Sequence, residues 1–144
     1  MFGGIVIMTK INVKGEWFLQ YNNGPWLGPL QNTMTTAGLS RFAQLCSELS
    51  SPFIAFGSAG GETFRKEVGA IVCTDMVNRF RTSLSLSEGN GNHTWLALYA
   101  DATANPESGT KINHLDQIFS KNQNEVLNIE CRFTFQQGEQ QGGE

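Results

Sequence analysis

Residues 126–135 read Val-Leu-Asn-Ile-Glu-Cys-Arg-Phe-Thr-Phe, and this stretch decides the class of the fold. From Leu127 to Phe135, apolar and polar side chains alternate at every step. Successive side chains of a β-strand point to opposite faces of the sheet. The period of two therefore predicts a strand with one face on a hydrophobic core and the other in solvent.

Other stretches with strand character come before it, separated by residues that favour turns. Residues 22–25, Asn-Asn-Gly-Pro, predict a turn because Asn and Gly tolerate positive φ and Pro fixes the next bend. We expect residues 26–29 to continue as an irregular apolar loop. The other predicted strands occupy residues 11–20 (interrupted at Gly15), 53–58, 64–73, 76–86, 94–100 and 112–120.

One segment has the apolar period of a helix. From Leu39 to Leu49, apolar residues recur three and four positions apart, which forms a stripe on one helix face. Thr35 or Thr36 supplies the N-cap oxygen, and the Ser-Ser-Pro of residues 50–52 ends the segment. The sequence predicts a helix over residues 36–49 that packs on the sheet.

Together these patterns predict a mainly β fold: an antiparallel β-sandwich or barrel-like domain with one short packed α-helix. We expect residues 11–135 to form this single domain. Residues 1–10 are expected to be a flexible N-terminal extension, with Met8 a second candidate for the start, and residues 136–144 a disordered tail rich in Gln, Gly and Glu.

Charge and composition argue against several classes of partner. The formal net charge is −3, and the densest basic stretch holds only Arg79 and Arg81, so we expect no nucleic-acid partner. Residues 1–8 are apolar but too short to span a bilayer, so we expect no membrane partner. Charged residues make up only 16% of the chain, which is typical of proteins that pack against copies or partners.

The residues that usually carry chemistry form no recognisable motif. The three cysteines are widely spaced and the two histidines are isolated, so we expect no metal, no cofactor and no catalytic residues. A cation site or an acid pair remains open, with solvated loop carboxylates as the alternative. The candidates for it are Asp101, Glu107, Asp116 and Glu125.

Several short motifs follow one another in a recognisable order between residues 33 and 135. They are Thr36-Ala37-Gly38-Leu39, Ile54-Ala55-Phe56-Gly57-Ser58, Glu67-Val68, Leu96-Ala97-Leu98-Tyr99, Phe119-Ser120-Lys121-Asn122 and the alternating residues 127–135. This order resembles that of N-terminal attachment domains in bacteriophage tail-fibre, baseplate and neck proteins. The chain departs from their pattern at Trp95, at Ala97 and at Arg65, which precedes Glu67 instead of following it.

The resemblance implies a virion structural protein of the tail, baseplate or neck. Such a protein is non-enzymatic, assembles in the cytoplasm of the bacterial host, and contacts other virion proteins and copies of itself. Trp17 and Trp26 flank the predicted turn and are the predicted protein-contact residues, whereas Trp95 is assigned to the core. A receptor- or glycan-binding fibre module, in which exposed tryptophans stack on sugars, is the alternative, and an assembly chaperone is a third reading.

Overall fold

The computed structural model describes residues 2–13 and 15–138. In that part of the chain it has one helix and strands on both sides of it. The elements are β1 (Phe2–Val13), β2 (Gly15–Gln20), β3 (Trp26–Asn32), α1 (Thr36–Cys46), β4 (Phe53–Ser58), β5 (Gly61–Glu67), β6 (Ala70–Thr74), β7 (Val77–Leu84), β8 (Gly91–Ala100), β9 (Thr110–Lys111), β10 (Leu115–Lys121) and β11 (Val126–Gln137).

Two larger sheets pack face to face. Sheet A has the order β1-β11-β7-β6, sheet B is the separate pair β2-β3, and sheet C has the order β10-β8-β4-β5 with the short β9 on β8. The inward side chains of β7 and β11 meet those of β4 and β8 in one core, which includes Phe56, Phe80, Leu96 and Ile129. The predicted mainly β, sandwich-like fold with one packed helix is confirmed.

The first strand differs from the expectation for the N-terminus. Residues 2–10, expected as a flexible extension, form most of β1, which pairs with β11 in parallel from Phe2↔Val126 to Val13↔Gln137. This strand forms because Ile7 is buried in the core that β11 already lines. At the other end, β11 continues through Gln137, and residues 139–144 of the expected tail lie outside the described residues.

Two further expectations about strands were wrong. Residues 26–29 belong to β3 instead of a loop, because the turn at 22–25 brings them back alongside β2. The single strand expected over residues 64–73 is two strands, β5 in sheet C and β6 in sheet A. Val68 donates its N–H to Pro52 O at 3.0 Å and Gly69 donates to Arg81 O at 2.8 Å, so the chain crosses between the sheets at these residues.

The helix packs against sheet A, where its neighbours are β6, β7 and β11. Thr35 caps it, since its Oγ1 accepts a hydrogen bond from Gly38 N at 2.9 Å. The helix ends at Cys46, before the predicted Leu49, but both residues pack against the core. Ala43 is fully buried, and its carbonyl accepts a hydrogen bond from Asn78 Nδ2 of β7 at 3.2 Å. Within the described residues, no helix has the length and apolar character needed to cross a bilayer.

Candidate assembly surface

The two tryptophans predicted to make contacts lie on the same hairpin. The backbone of Trp17 in β2 pairs with Leu30, and Trp26, the first residue of β3, pairs with Gln20. We call this hairpin, residues 15–32, the arm. The side chain of Trp26 is 64% exposed, whereas the side chain of Trp17 lies outside the described part of the structure.

The turn of the arm forms from local hydrogen bonds that its sequence favours. Gly24 donates its N–H to Tyr21 O at 3.0 Å, and Gln20 Nε2 donates to Gly24 O at 2.9 Å. Asn22 takes a positive φ of 53°, a conformation that Asn accepts more readily than most residues. These contacts hold β2 and β3 together at the tip of the arm.

The arm leaves an unusual amount of apolar surface in solvent. Among the described strands, β2 and β3 pair only with each other, so the arm belongs to neither of the larger sheets. An isolated two-stranded hairpin is only marginally stable in water, and a contiguous exposed apolar patch marks an interaction site. The large apolar residues exposed on it are Phe18, Leu19, Tyr21, Trp26, Leu27 and Leu30.

The absence of charged residues from this part of the sequence also indicates a contact surface, although only the two tryptophans were predicted to form one. Between Trp17 and Ser40 the chain has no Asp, Glu, Lys, Arg or His. The centre of a protein interface is typically poor in charged residues and rich in aromatic ones. This stretch has the same composition. This signal extends the contact surface from two tryptophans to most of the arm.

The base of the arm is attached to the end of β11. Gly138 donates its N–H to Val13 O at 3.0 Å, and Met34 donates its N–H to Gln137 Oε1 at 2.5 Å. Val13 precedes the arm in sequence, and Met34 follows it. The arm therefore starts and ends near the end of sheet A where β1 and β11 finish.

The solvent face of sheet A carries a cluster of arginines around one carboxylate. Glu130 accepts hydrogen bonds from Arg81 Nε at 2.7 Å and from Arg132 Nη2 at 2.5 Å, and Arg79 Nε lies 4.0 Å away. Burial raises the pKa of Glu130, but the hydrogen bonds from Arg81 and Arg132 outweigh this and hold its pKa below the ordinary value. With three guanidinium groups to one carboxylate, this cluster has a net positive charge.

A groove of about 260 Å³ opens beside this cluster. Its surface is mostly apolar, and it crosses β11 between β1 and β7. Gly4 leaves room there, because a Cβ at this position meets only Asn128 O, at an ordinary 3.7 Å. The outward-facing residues that line the groove are Gly4, Val6, Arg81, Ser83, Asn128 and Glu130.

Trp95, which was assigned to the core, is half-buried and packs against a second, smaller hydrophobic cluster on the outer face of sheet C, formed by Ala55, Ala97, Tyr99 and Ala102. Its Nε1 donates a hydrogen bond to Ser58 O at 3.1 Å. The His114 ring stacks on it with a centroid separation of 5.3 Å, and Lys111 Nζ lies 4.8 Å from the ring centroid. Because neighbouring side chains cover the ring, Trp95 offers less free aromatic surface than Trp26.

A buried ion pair lies on the same face of the sheet. Glu62 and Arg65 form two hydrogen bonds, at 2.6 and 2.7 Å, and their side chains are 1% and 3% exposed. The guanidinium of Arg65 also lies 4.7 Å from the Tyr99 ring centroid. Burial raises the pKa of Glu62, but hydrogen bonds from Arg65 and from the Glu107 N–H outweigh it and leave the pKa below its ordinary value.

The two histidines occupy different environments and are not neighbours in a common site. His93 lies in β8 and is 3% exposed, packed edge-on against Phe56 with 4.4 Å between ring centroids. Its Nε2 lies 2.8 Å from Gly89 O, and Nδ1 lies 3.2 Å from Thr63 Oγ1. The His93 ring thus fills and hydrogen-bonds the core, whereas His114 lies at the surface.

The carboxylates considered for a cation site have other neighbours. Asp101 accepts a hydrogen bond from Ser50, Asp116 lies 2.9 Å from His114 Nε2, and Glu125 accepts one from Asn122 N at 3.0 Å. In residues 2–13 and 15–138, no three His, Cys, Asp or Glu side chains come together in a way that would hold a metal ion.

Two of the cysteines have strongly perturbed acidity. Burial raises the pKa of the Cys46 and Cys131 thiols to about 11 each. A thiol must lose its proton to act as a nucleophile or to bind a metal. Both side chains therefore behave as core groups near neutral pH, and Asn113 Nδ2 lies 3.2 Å from Cys131 Sγ.

Comparisons of the chain with protein-family models, with curated proteins and with solved structures found no match.

Proposed function

We propose that this protein is a non-enzymatic structural component of a bacteriophage particle, in the tail, baseplate or neck. It assembles in the host cytoplasm through contacts with other virion proteins and with copies of itself. The observation that carries the proposal is the arm, whose apolar side chains are exposed on a hairpin that belongs to neither of the larger sheets. A surface of this kind is stabilised when a partner removes it from water.

The motif order supports the same class of protein. The residues that resemble phage attachment domains run from the start of α1, through β4, to β11. In this chain these elements build the sandwich and leave the arm free of it. The sandwich therefore serves as the scaffold, and the arm serves as the surface that joins the protein to its neighbours.

A glycan-binding fibre module is the second candidate, and it rests on the exposure of Trp26 and Tyr21. Aromatic rings of this kind stack on sugar faces as well as on proteins. Assembly is the better supported of the two, because the exposed leucines of the arm, Leu19, Leu27 and Leu30, suit a protein interface and add nothing to sugar stacking.

Particle composition tests the proposal directly. Phage particles are purified from the host that carries this gene and analysed by quantitative mass spectrometry, and we expect the chain in intact particles at a fixed ratio to the other virion proteins. Its absence from intact particles, with presence in the lysate, would overturn the proposal and favour a chaperone.

An arm-excised variant tests the role of the arm in the same experiment. In it, residues 16–31 are replaced by Asn-Gly, which joins the paired residues Gly15 and Asn32 by a two-residue turn. Supplied in place of the natural chain, it is expected to be missing from particles, while a Gly60→Ala variant, altered where a Cβ meets no atom within 4 Å, is incorporated. If both variants are incorporated, but particles with the arm-excised variant no longer adsorb to a glycan-bearing host, the fibre module is favoured.

A further inference from the structure

We propose that the arm of one copy docks on the solvent face of sheet A in a second copy, with Trp26 seated in the groove between β1 and β7. The inference rests on the proposed assembly function and deepens it by naming the partner and both contact surfaces. It is carried by the size of the groove, by the chemistry at its rim, and by the apolar area of the arm.

The groove has the size of an aromatic side chain. A protein cavity of roughly 150 Å³ binds benzene, and the groove measures about 260 Å³. This volume accommodates the larger, two-ring indole of Trp26. The arm of the same chain does not fill it, because residues 21–30 of the arm are all exposed.

The rim of the groove suits an uncharged aromatic arm. Arg81, at the rim, has a side chain that is 48% exposed, and a guanidinium over the face of an indole is attracted by the ring. Glu130 already accepts hydrogen bonds from Arg81 and Arg132. The arm has no charged side chain beyond Trp17, so it adds no like charge to this net positive cluster.

The exposed apolar residues of the arm supply part of the area that a specific interface needs. The six large apolar residues exposed on the arm are between 42% and 71% exposed. They expose on the order of 600 Å² in total, divided between the two faces of the arm, because successive strand residues such as Trp26 and Leu27 point to opposite sides. A standard protein–protein interface buries about 800 Å² on each partner. Val6 and Met8, exposed on β1 beside the groove, extend the apolar surface on the receiving copy.

An arm-to-groove contact is heterologous, because the two copies contribute different surfaces: one contributes its arm and the other contributes its groove. Repeating it closes a ring or extends a helix, instead of ending at a dimer. The two surfaces are also separable by mutation. That property provides the test.

The test measures association of the purified chain by sedimentation and native mass spectrometry over a range of concentrations. Trp26→Glu removes the indole from the arm, and Gly4→Leu places a side chain in the groove from a position where an added Cβ meets only Asn128 O, at 3.7 Å. We expect each to weaken self-association about tenfold or more, as the loss of a central contact does. Gly60→Leu is the matched control, since a Cβ there meets no atom within 4 Å and Gly60 does not line the groove.

Mixing the two variants gives the decisive result. Trp26→Glu keeps its groove and Gly4→Leu keeps its arm, so a mixture is expected to form one-to-one heterodimers and nothing larger. Circular dichroism of each variant confirms that it is folded.

Three outcomes overturn the docking proposal: a wild-type chain that stays monomeric at every concentration, normal association of Gly4→Leu, or a mixture without heterodimers. If any of these occurs while the chain is present in intact particles, the proposed function stands and the arm docks elsewhere. If the chain is absent from particles, the proposed function fails regardless of how the pure protein associates.

Discussion

At the scale of single residues, the Glu62–Arg65 pair shows how burial increases the free-energy cost of leaving a charge unpaired. Both side chains are almost completely buried, and each is held by the other and by backbone or aromatic neighbours. Removing one partner of a buried pair leaves the other charge uncompensated, and this costs far more than losing an exposed pair. The partly exposed pair of Lys66 and Glu88 has a similar separation of 2.7 Å but side chains that are 35% and 31% exposed.

We predict that Glu62→Gln lowers the free energy of unfolding by about 3 kcal/mol at pH 7. Because the folded-state pKa of Glu62 lies below its unfolded value, the contribution of the pair is present above about pH 4.3 and is lost as the pH falls through the folded pKa. The difference between wild type and variant should therefore shrink on acidification. Urea unfolding at several pH values measures it.

Glu88→Gln is the control for this prediction, and we expect it to cost less than about 1 kcal/mol. Equal losses at pH 7 from the two substitutions would show that burial of the first pair does not matter. A Glu62→Gln effect that stays constant down to pH 3 would contradict the assigned charge state.

At the scale of elements, the β4–β5 hairpin depends on a glycine under Trp95. A Cβ on Gly57 would lie 2.3 Å from Gly61 O and 2.8 Å from both Glu62 Cα and Trp95 Cζ2. Two of these atoms belong to the backbone of β5, so the clash cannot be relieved by rotating a side chain. The absence of a side chain at Gly57 therefore allows β5 and Trp95 to pack close to β4.

We predict that Gly57→Ala destabilises the protein by about 3 kcal/mol, the upper part of the range for overpacking a close contact. Gly60→Ala, three residues away in the turn of the same hairpin, meets no atom within 4 Å and should change stability by less than about 1 kcal/mol. Thermal unfolding of the two variants measures the contrast. A Gly57→Ala protein as stable as Gly60→Ala would mean that β4 and β5 are less closely packed than described.

At the scale of the whole molecule, the sandwich contains the hydrophobic core and the arm lies outside it. The described core draws its buried residues from β1, β4, β7, β8 and β11, and the helix adds Leu39 and Ala43. The arm adds none of its described side chains to this core. Folding of the sandwich should therefore be independent of the arm.

We predict that the arm-excised variant, with Asn-Gly in place of residues 16–31, keeps its Tm within about 4 °C of wild type, which corresponds to less than about 1 kcal/mol. It should also be more soluble, because the exposed apolar surface is gone. Calorimetry of dilute protein, where association is weak, measures the first effect. A large fall in Tm would show that the arm stabilises the sandwich.

Much of the fold can be predicted from local pattern alone. The alternation in residues 126–135 and the apolar stretch 53–58 predicted β11 and β4, and the threonines at 35 and 36 marked the start of α1. The turn predicted at residues 22–25 is flanked by Trp17 and Trp26, and these two residues lie on the same hairpin. These features follow from neighbouring residues, because side-chain period and turn chemistry act over a few positions.

The sequence by itself determined the class of the fold, the helix and the position of the turn that forms the arm. Only the tertiary structure decided that β1 pairs in parallel with a strand more than a hundred residues away, that residues 64–73 divide between two sheets, and that Gly4 and Arg81 border one groove. The physical reason is that these features depend on contacts between distant segments, whose free energy is set by packing and not by the order of neighbouring residues. For the same reason, the exposure of the arm became visible only once the rest of the chain had formed a core without it.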